Sequence, residues 1–198
     1  FNFYPVTALM IILLALLNDI PILAIAYDNT KIEKKPVRWD MKEMLVLSNW
    51  LGIAGVLSSF TIFYITMVYL KAHPETAVFL PDVPNWININ DETNWLGFVQ
   101  SLFFAKMVVA GHGTIYNTRI DNWFFKKPYP SLILFLATFS TRVIGTIISV
   151  YGFGLITPIG WDWAIFMWIY ALTWFVFNDF VKILVLKYYR KVKGVEVI

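Results

Sequence analysis

Five ionisable side chains, Asp19, Lys106, Arg142, Asp179 and Lys182, lie inside long apolar runs. At a bilayer centre such groups cost roughly 2.5–3.5 kcal/mol each by insertion scales, so they are the first candidates for ion transport or ion pairing. Asp19 is the most informative, in Leu16-Leu17-Asn18-Asp19-Ile20-Pro21. Pro21 has no N–H, and its ring clashes with the carbonyl four residues back, that of Leu17. The helix is therefore expected to kink or unwind at Asn18-Asp19, leaving free carbonyls beside a carboxylate. Transporters build ion sites from broken helices in this way. Burial disfavours an ionised carboxylate and a nearby cation favours it, so an acid balanced between the two can load and release a proton. The plainer alternative is a kinked helix with Asp19 in a static ion pair.

The other four are candidates for intramembrane ion pairs. Asp179 and Lys182, three residues apart, share a helix face and can pair; Lys182 is close enough to the helix end to snorkel. Arg142 could meet Asp19, Asp179 or the headgroups. Lys106, near the middle of its run, could pair with a carboxylate from another helix or take a direct part in transport. His112, between Gly111 and Gly113, is either a pH-sensing group or, as the simpler reading, a packing histidine. Gly55 with Ser59 and Ala110 with Thr114 are small-residue pairs at helical spacing, which favour helix contacts. No nucleophile-base pair, phosphate-cradling glycine loop or metal-ligand spacing is present. No catalytic residue and no metal site are expected here.

The elements that position these groups are long and apolar. The chain has 198 residues, 59% hydrophobic, 18% aromatic and only 15% charged. Soluble domains carry about 25% charged residues, so a bilayer is the fitting solvent. A net charge of +3 is too small to suggest nucleic acid, and the absence of cysteine excludes a disulfide framework. Five stretches meet the ~20-residue requirement for a spanning helix: about 4–27, 44–70, 95–116, 131–153 and 161–186. The fold class is all-α, a polytopic transmembrane bundle. Asp40 with Glu43 reads as an N-cap and capping box before the second span. Trp86, Trp95, Trp123, Trp161 and Trp163 stand near span ends, where an aromatic belt belongs.

Orientation follows from Lys and Arg in the short loops. The 28–43 loop holds Lys31, Lys34, Lys35, Arg38 and Lys42, and the 117–130 loop holds Arg119, Lys126 and Lys127. The tail holds Lys187, Arg190, Lys191 and Lys193. The 72–94 loop, with Pro74, Pro81 and Pro84, has no Lys or Arg but carries Glu75, Asp82, Asp91 and Glu92; the 154–160 loop is uncharged. The basic loops and the C-terminus are thus expected in the cytoplasm and Phe1 outside. Five spans with an outside start, and no basic flank before the first run, suit a sequence that begins inside a longer protein.

Three motifs resemble plasma-membrane proton-pumping P-type ATPases. Leu17-Asn18-Asp19, then Leu23-Ala24-Ile25-Ala26-Tyr27-Asp28-Asn29, then Lys35-Pro36-Val37-Arg38-Trp39 is similar to their sixth transmembrane helix and following loop. Thr118-Arg119, Trp123, Phe125 and Pro128 resemble the connection between their eighth and ninth helices. Gly160-Trp161-x-Trp163-Ala164, Trp168-Ile169-Tyr170 and Asp179-x-x-Lys182 resemble the last helix. Order and spacing hold from Leu16 to Lys182.

The resemblance implies that residues 1–198 are the sixth to tenth transmembrane helices of such a pump. It implies that Asp19 is the proton acceptor, with Asn18 a neighbour in the cation-site region. The remaining helices and cytoplasmic domains would be partners, with the lipid bilayer and the proton, and the location a plasma membrane. ATP and Mg would serve the complete pump. The phosphorylated Asp-Lys-Thr-Gly and the nucleotide domain do not occur in this stretch. Calcium and sodium pumps place a second acid one turn after the Asp19 position; here that residue is Leu23, which favours a proton. The alternative is a mainly structural membrane support in a pump for another cation.

Overall fold

The structure, a computed structural model, describes residues 4–29, 40–73 and 80–193. It contains five helices long and apolar enough to cross a membrane. We number them α1 (Ala8–Ala24), α2 (Met41–Tyr64), α3 (Glu92–Thr118), α4 (Leu132–Tyr151) and α5 (Gly160–Lys193). A single 3₁₀ turn, Ile25–Tyr27, extends α1, and a π-helical stretch, Ile65–Leu70, extends α2. The all-α expectation holds, with each helix on its expected stretch. Lys31, Lys34, Lys35, Pro36, Val37, Arg38, Trp39, Pro74 and Glu75, together with Phe1, lie outside the described residues, as does the Lys193 side chain.

Local chemistry sets the helix starts. Thr7, Asp40, Asp91 and Ser131 each turn a side-chain oxygen toward the first free N–H groups of α1, α2, α3 and α4. Asp40 Oδ1 accepts from Lys42 N at 3.2 Å and Glu43 N at 3.4 Å. The Glu43 carboxylate, expected to reach back to this cap, is engaged instead by Arg190 Nη2 at 2.7 Å. The π-helical stretch contains a local competitor. Thr66 Oγ1 donates to the carbonyls of Ile62 and Phe63, a hydroxyl competing inside the helical ladder.

α3 is the hub. Of its most apolar stretch 67% is buried, against 22–33% for the other helices. It packs on α5, α4 and α1, while α1 also lies on α4 and α2 on α5. Gly145 allows a close approach of α1, α3 and α4: a Cβ there would lie 2.5 Å from Val108 Cγ1 and 3.1 Å from Leu17 Cδ1. Lipid tails are as apolar as leucine, so this interlocking and the interhelical hydrogen bonds hold the bundle, with little help from hydrophobic exclusion. The outward faces carry exposed aliphatic and aromatic side chains such as Ile12, Leu45, Phe60, Leu136 and Ile169.

The aromatic belt is only part of the tryptophan story. Trp86 and Trp161 are exposed, but Trp95 and Trp163 are fully buried. Phe98 packs edge-on against Trp163, with ring centroids 5.5 Å apart, and Trp163 Nε1 donates to the Asp82 carbonyl at 3.0 Å. These two rings are core residues, not membrane-surface anchors, because the 80–91 segment folds back over the helix ends.

Candidate functional site

Pro21 does not break its helix. α1 runs as regular helix through Asn18, Asp19 and Pro21 and tightens only at Ile25. The unwinding expected at Asn18-Asp19 is therefore absent. One missing N–H removes a single bond of the ladder, which neighbouring helices can tolerate. The freed carbonyl belongs to Leu17, and the buried His112 ring of α3 lies against the Leu17 backbone. Neither His112 nitrogen makes a well-formed hydrogen bond.

Met10, Leu17, Pro21 and Ala24 form the buried stripe of α1. At 3.6 residues per turn, Asp19 projects roughly 180° from that stripe. It is exposed, and no hydrogen bond or ion pair joins it to another described residue. Asn18, one step round the helix, is half-buried and lines a groove that holds a few polar groups instead.

That groove, of roughly 330 Å³, lies between α1 and α2 and is floored by α3 and α5. Among the described residues that line it, Lys106 alone is charged. Lys106 is buried, and its Nζ donates to Ser59 Oγ of α2 at 2.8 Å, so its partner here is a neutral hydroxyl and not a carboxylate. Asn117 and Asn178 also line the groove, each with a buried Oδ1 that has no partner. Sequence reasoning missed both asparagines; nothing in their spacing marks them. Arg142 reaches neither Asp19 nor Asp179. Its guanidinium sits 5.8 Å from the centroid of the Tyr116 ring, and its buried Nε has no partner.

The remaining charges converge on the loop between α3 and α4. Asp179 and Lys182 pair at 2.6 Å with both side chains buried, so Lys182 does not snorkel. Lys182 Nζ also donates to the Asn122 carbonyl at 2.6 Å, and Asp179 Oδ2 accepts from Phe124 N at 3.1 Å. Arg119 Nε donates to Asp28 Oδ2 at 2.5 Å, and its other nitrogens reach the carbonyls of Pro128 and Asn29. Asp28 Oδ1 accepts from Ser131 N at 2.9 Å. Burial pushes the Asp28 carboxyl up, but the Arg119 and Ser131 contacts outweigh it and hold the group below its ordinary 3.8. Arg190 adds a more exposed bridge between Asp121 and Glu43. The loop is thus clasped by the end of α1, the start of α2 and the last half of α5. Spacing showed the Asp179–Lys182 pair; the Asp28–Arg119 pair spans 91 residues and left no local signal.

Among the described residues no three His, Asp or Glu side chains gather as metal ligands. No family model matches the chain. The chain is 48% identical over 184 residues to a protein of Methanocaldococcus jannaschii named "Putative cation-transporting ATPase". The matched region is 93% of this chain and 20% of that protein, so the chain spans about a fifth of its relative's length.

Proposed function

We propose that this chain is part of the membrane segment of a P-type cation pump that exports protons across a plasma membrane, with Asp19 as the proton acceptor. The observation that carries the reading is the 48% identity to a named cation-transporting ATPase across nearly the whole chain. The position of Asp19 supports a transport role. A carboxylate projecting from a spanning helix away from its own bundle is not stable against lipid tails, so it faces further protein or water. The site is then completed outside these five helices, with Asn18 on the flank of α1. A lone carboxylate suits a proton better than a divalent ion, which takes six to eight oxygens. In this reading the Asp28–Arg119 clasp lies on the cytoplasmic side, as the basic loops suggest.

A second reading, a mainly structural support in a pump for another cation, draws on the clasp. Asp28, Arg119, Asp179 and Lys182 all belong to the motifs that carry the family resemblance, and all are spent on holding one loop. The two readings part on ion dependence. The complete protein in sealed vesicles should acidify their interior on ATP addition without sodium, potassium or calcium. ATP hydrolysis that requires one of those ions would favour the second reading.

A further inference from the structure

The groove between α1 and α2 is a poor surface to present to lipid. Its floor holds the Lys106 ammonium, which has three donor hydrogens and one bonded partner, Ser59. It also holds the unpartnered buried oxygens of Asn117 and Asn178. Hydrocarbon satisfies none of these groups, and each one left unsatisfied costs several kcal/mol. α1 and α2 stand on either side of α3 without substantial contact, so nothing among the described residues closes the gap. Along its walls, a Cβ added at Gly55 or Gly111 would meet no atom within 4 Å. Glycines at such a rim let another helix backbone approach closely.

We propose that a transmembrane helix of the same polypeptide, outside these 198 residues, packs into this groove and places an Asp or Glu carboxylate against Lys106. The inference rests on the pump reading only in supposing a longer chain, as the relative's length suggests: the match covers 20% of it. Three observations select the occupant. The groove's single charge among the described residues is positive, so the partner side chain is an acid. Its volume, roughly 330 Å³, takes a few side chains and not a whole helix, so the occupant lies across the mouth. The floor carries an ammonium and two unpartnered amide oxygens that a lipid tail cannot satisfy. Asp19 is not this acid, since it projects from the other side of α1 and does not line the groove.

The test uses the full-length protein in membranes, with any native cysteines replaced. A cysteine at Gly111 (Gly111→Cys), or at Gly55 as a second position, is paired with cysteines scanned along each acid-bearing apolar helix of the remaining polypeptide. Oxidation should give an intramolecular disulfide to one face of one such helix. Lys106→Glu should abolish that cross-link, and reversing the facing acid to lysine should restore it. Disulfides only between two copies, labelling of the position by a water-soluble thiol reagent without any cross-link, or a cross-link indifferent to Lys106→Glu would each overturn the proposal. Failure here with intact ATP-driven acidification leaves the pump reading standing. A charge-dependent cross-link in a protein that does not transport leaves this proposal standing alone.

Discussion

Arg119 and Asp28, 91 residues apart in sequence, meet at 2.5 Å with side chains 7% and 2% exposed. This contact joins the end of α1 to the α3–α4 loop. It also places two separate motifs of the family resemblance on one structural joint.

Removing one partner should therefore cost more than an ordinary surface pair. Breaking a buried ion pair from one side costs about 3–5 kcal/mol, because the remaining charge is left buried. Asp28→Ala and Arg119→Ala should each lower the unfolding midpoint in detergent markedly. Arg119→Lys should not rescue, because lysine lacks the fork that also reaches the Pro128 and Asn29 carbonyls. A lysine variant as stable as the parent would show that charge alone suffices.

The same joint predicts a pH dependence. The Asp28 carboxyl is depressed in the folded state, so its contribution is fully present above the ordinary value of 3.8 and is lost as pH falls through the lower folded value. Melting temperatures measured from pH 5 down to pH 2 should fall more steeply for the parent than for Asp28→Asn, with the difference opening below 3.8. Parallel curves would contradict this.

Lys182 and Asp179 should behave as a coupled unit. Lys182→Met alone leaves the Asp179 carboxylate buried with only the Phe124 N–H for support. Adding Asp179→Asn removes that charge while keeping an acceptor for the N–H. The double variant is expected to be more stable than Lys182→Met alone, a favourable coupling of about 1–3 kcal/mol in a double-mutant cycle. Simple additivity would mean that the pair is solvated.

Gly145→Ala tests the packing at the hub. Alanine is favoured over glycine in a helix by about 1 kcal/mol. Here its Cβ would sit 2.5 Å from a Val108 methyl, and overpacking costs about 1–3 kcal/mol. A lower thermal midpoint is expected; a higher one would show that α3 and α4 separate without cost.

The sequence revealed some of this architecture and concealed the rest for identifiable reasons. Twenty-residue apolar runs located all five helices, since the length a span needs is fixed by the bilayer. Asp40 as a cap and Asp179 with Lys182 on one face were readable because both relations lie within one helical turn. Which face of each helix would be covered was not readable. α1, α3 and α5 carry no strong apolar stripe, so periodicity did not show that Asp19 projects outward or that Trp95 and Trp163 are core. The Asp28–Arg119 joint depends on how distant helices pack, which local spacing does not record. Pro21 misled because losing one ladder bond does not by itself end a helix held by its neighbours.

The most direct measurement is ATP-driven proton uptake by sealed vesicles containing the complete protein, comparing Asp19→Asn with the parent. Asparagine keeps the size and polarity of the side chain and removes its ability to ionise. If Asp19 carries the proton, the variant should fold, with an unfolding midpoint close to the parent's, yet show no acidification. An Asp19→Asn protein that acidifies its vesicles at the parent's rate would contradict the account.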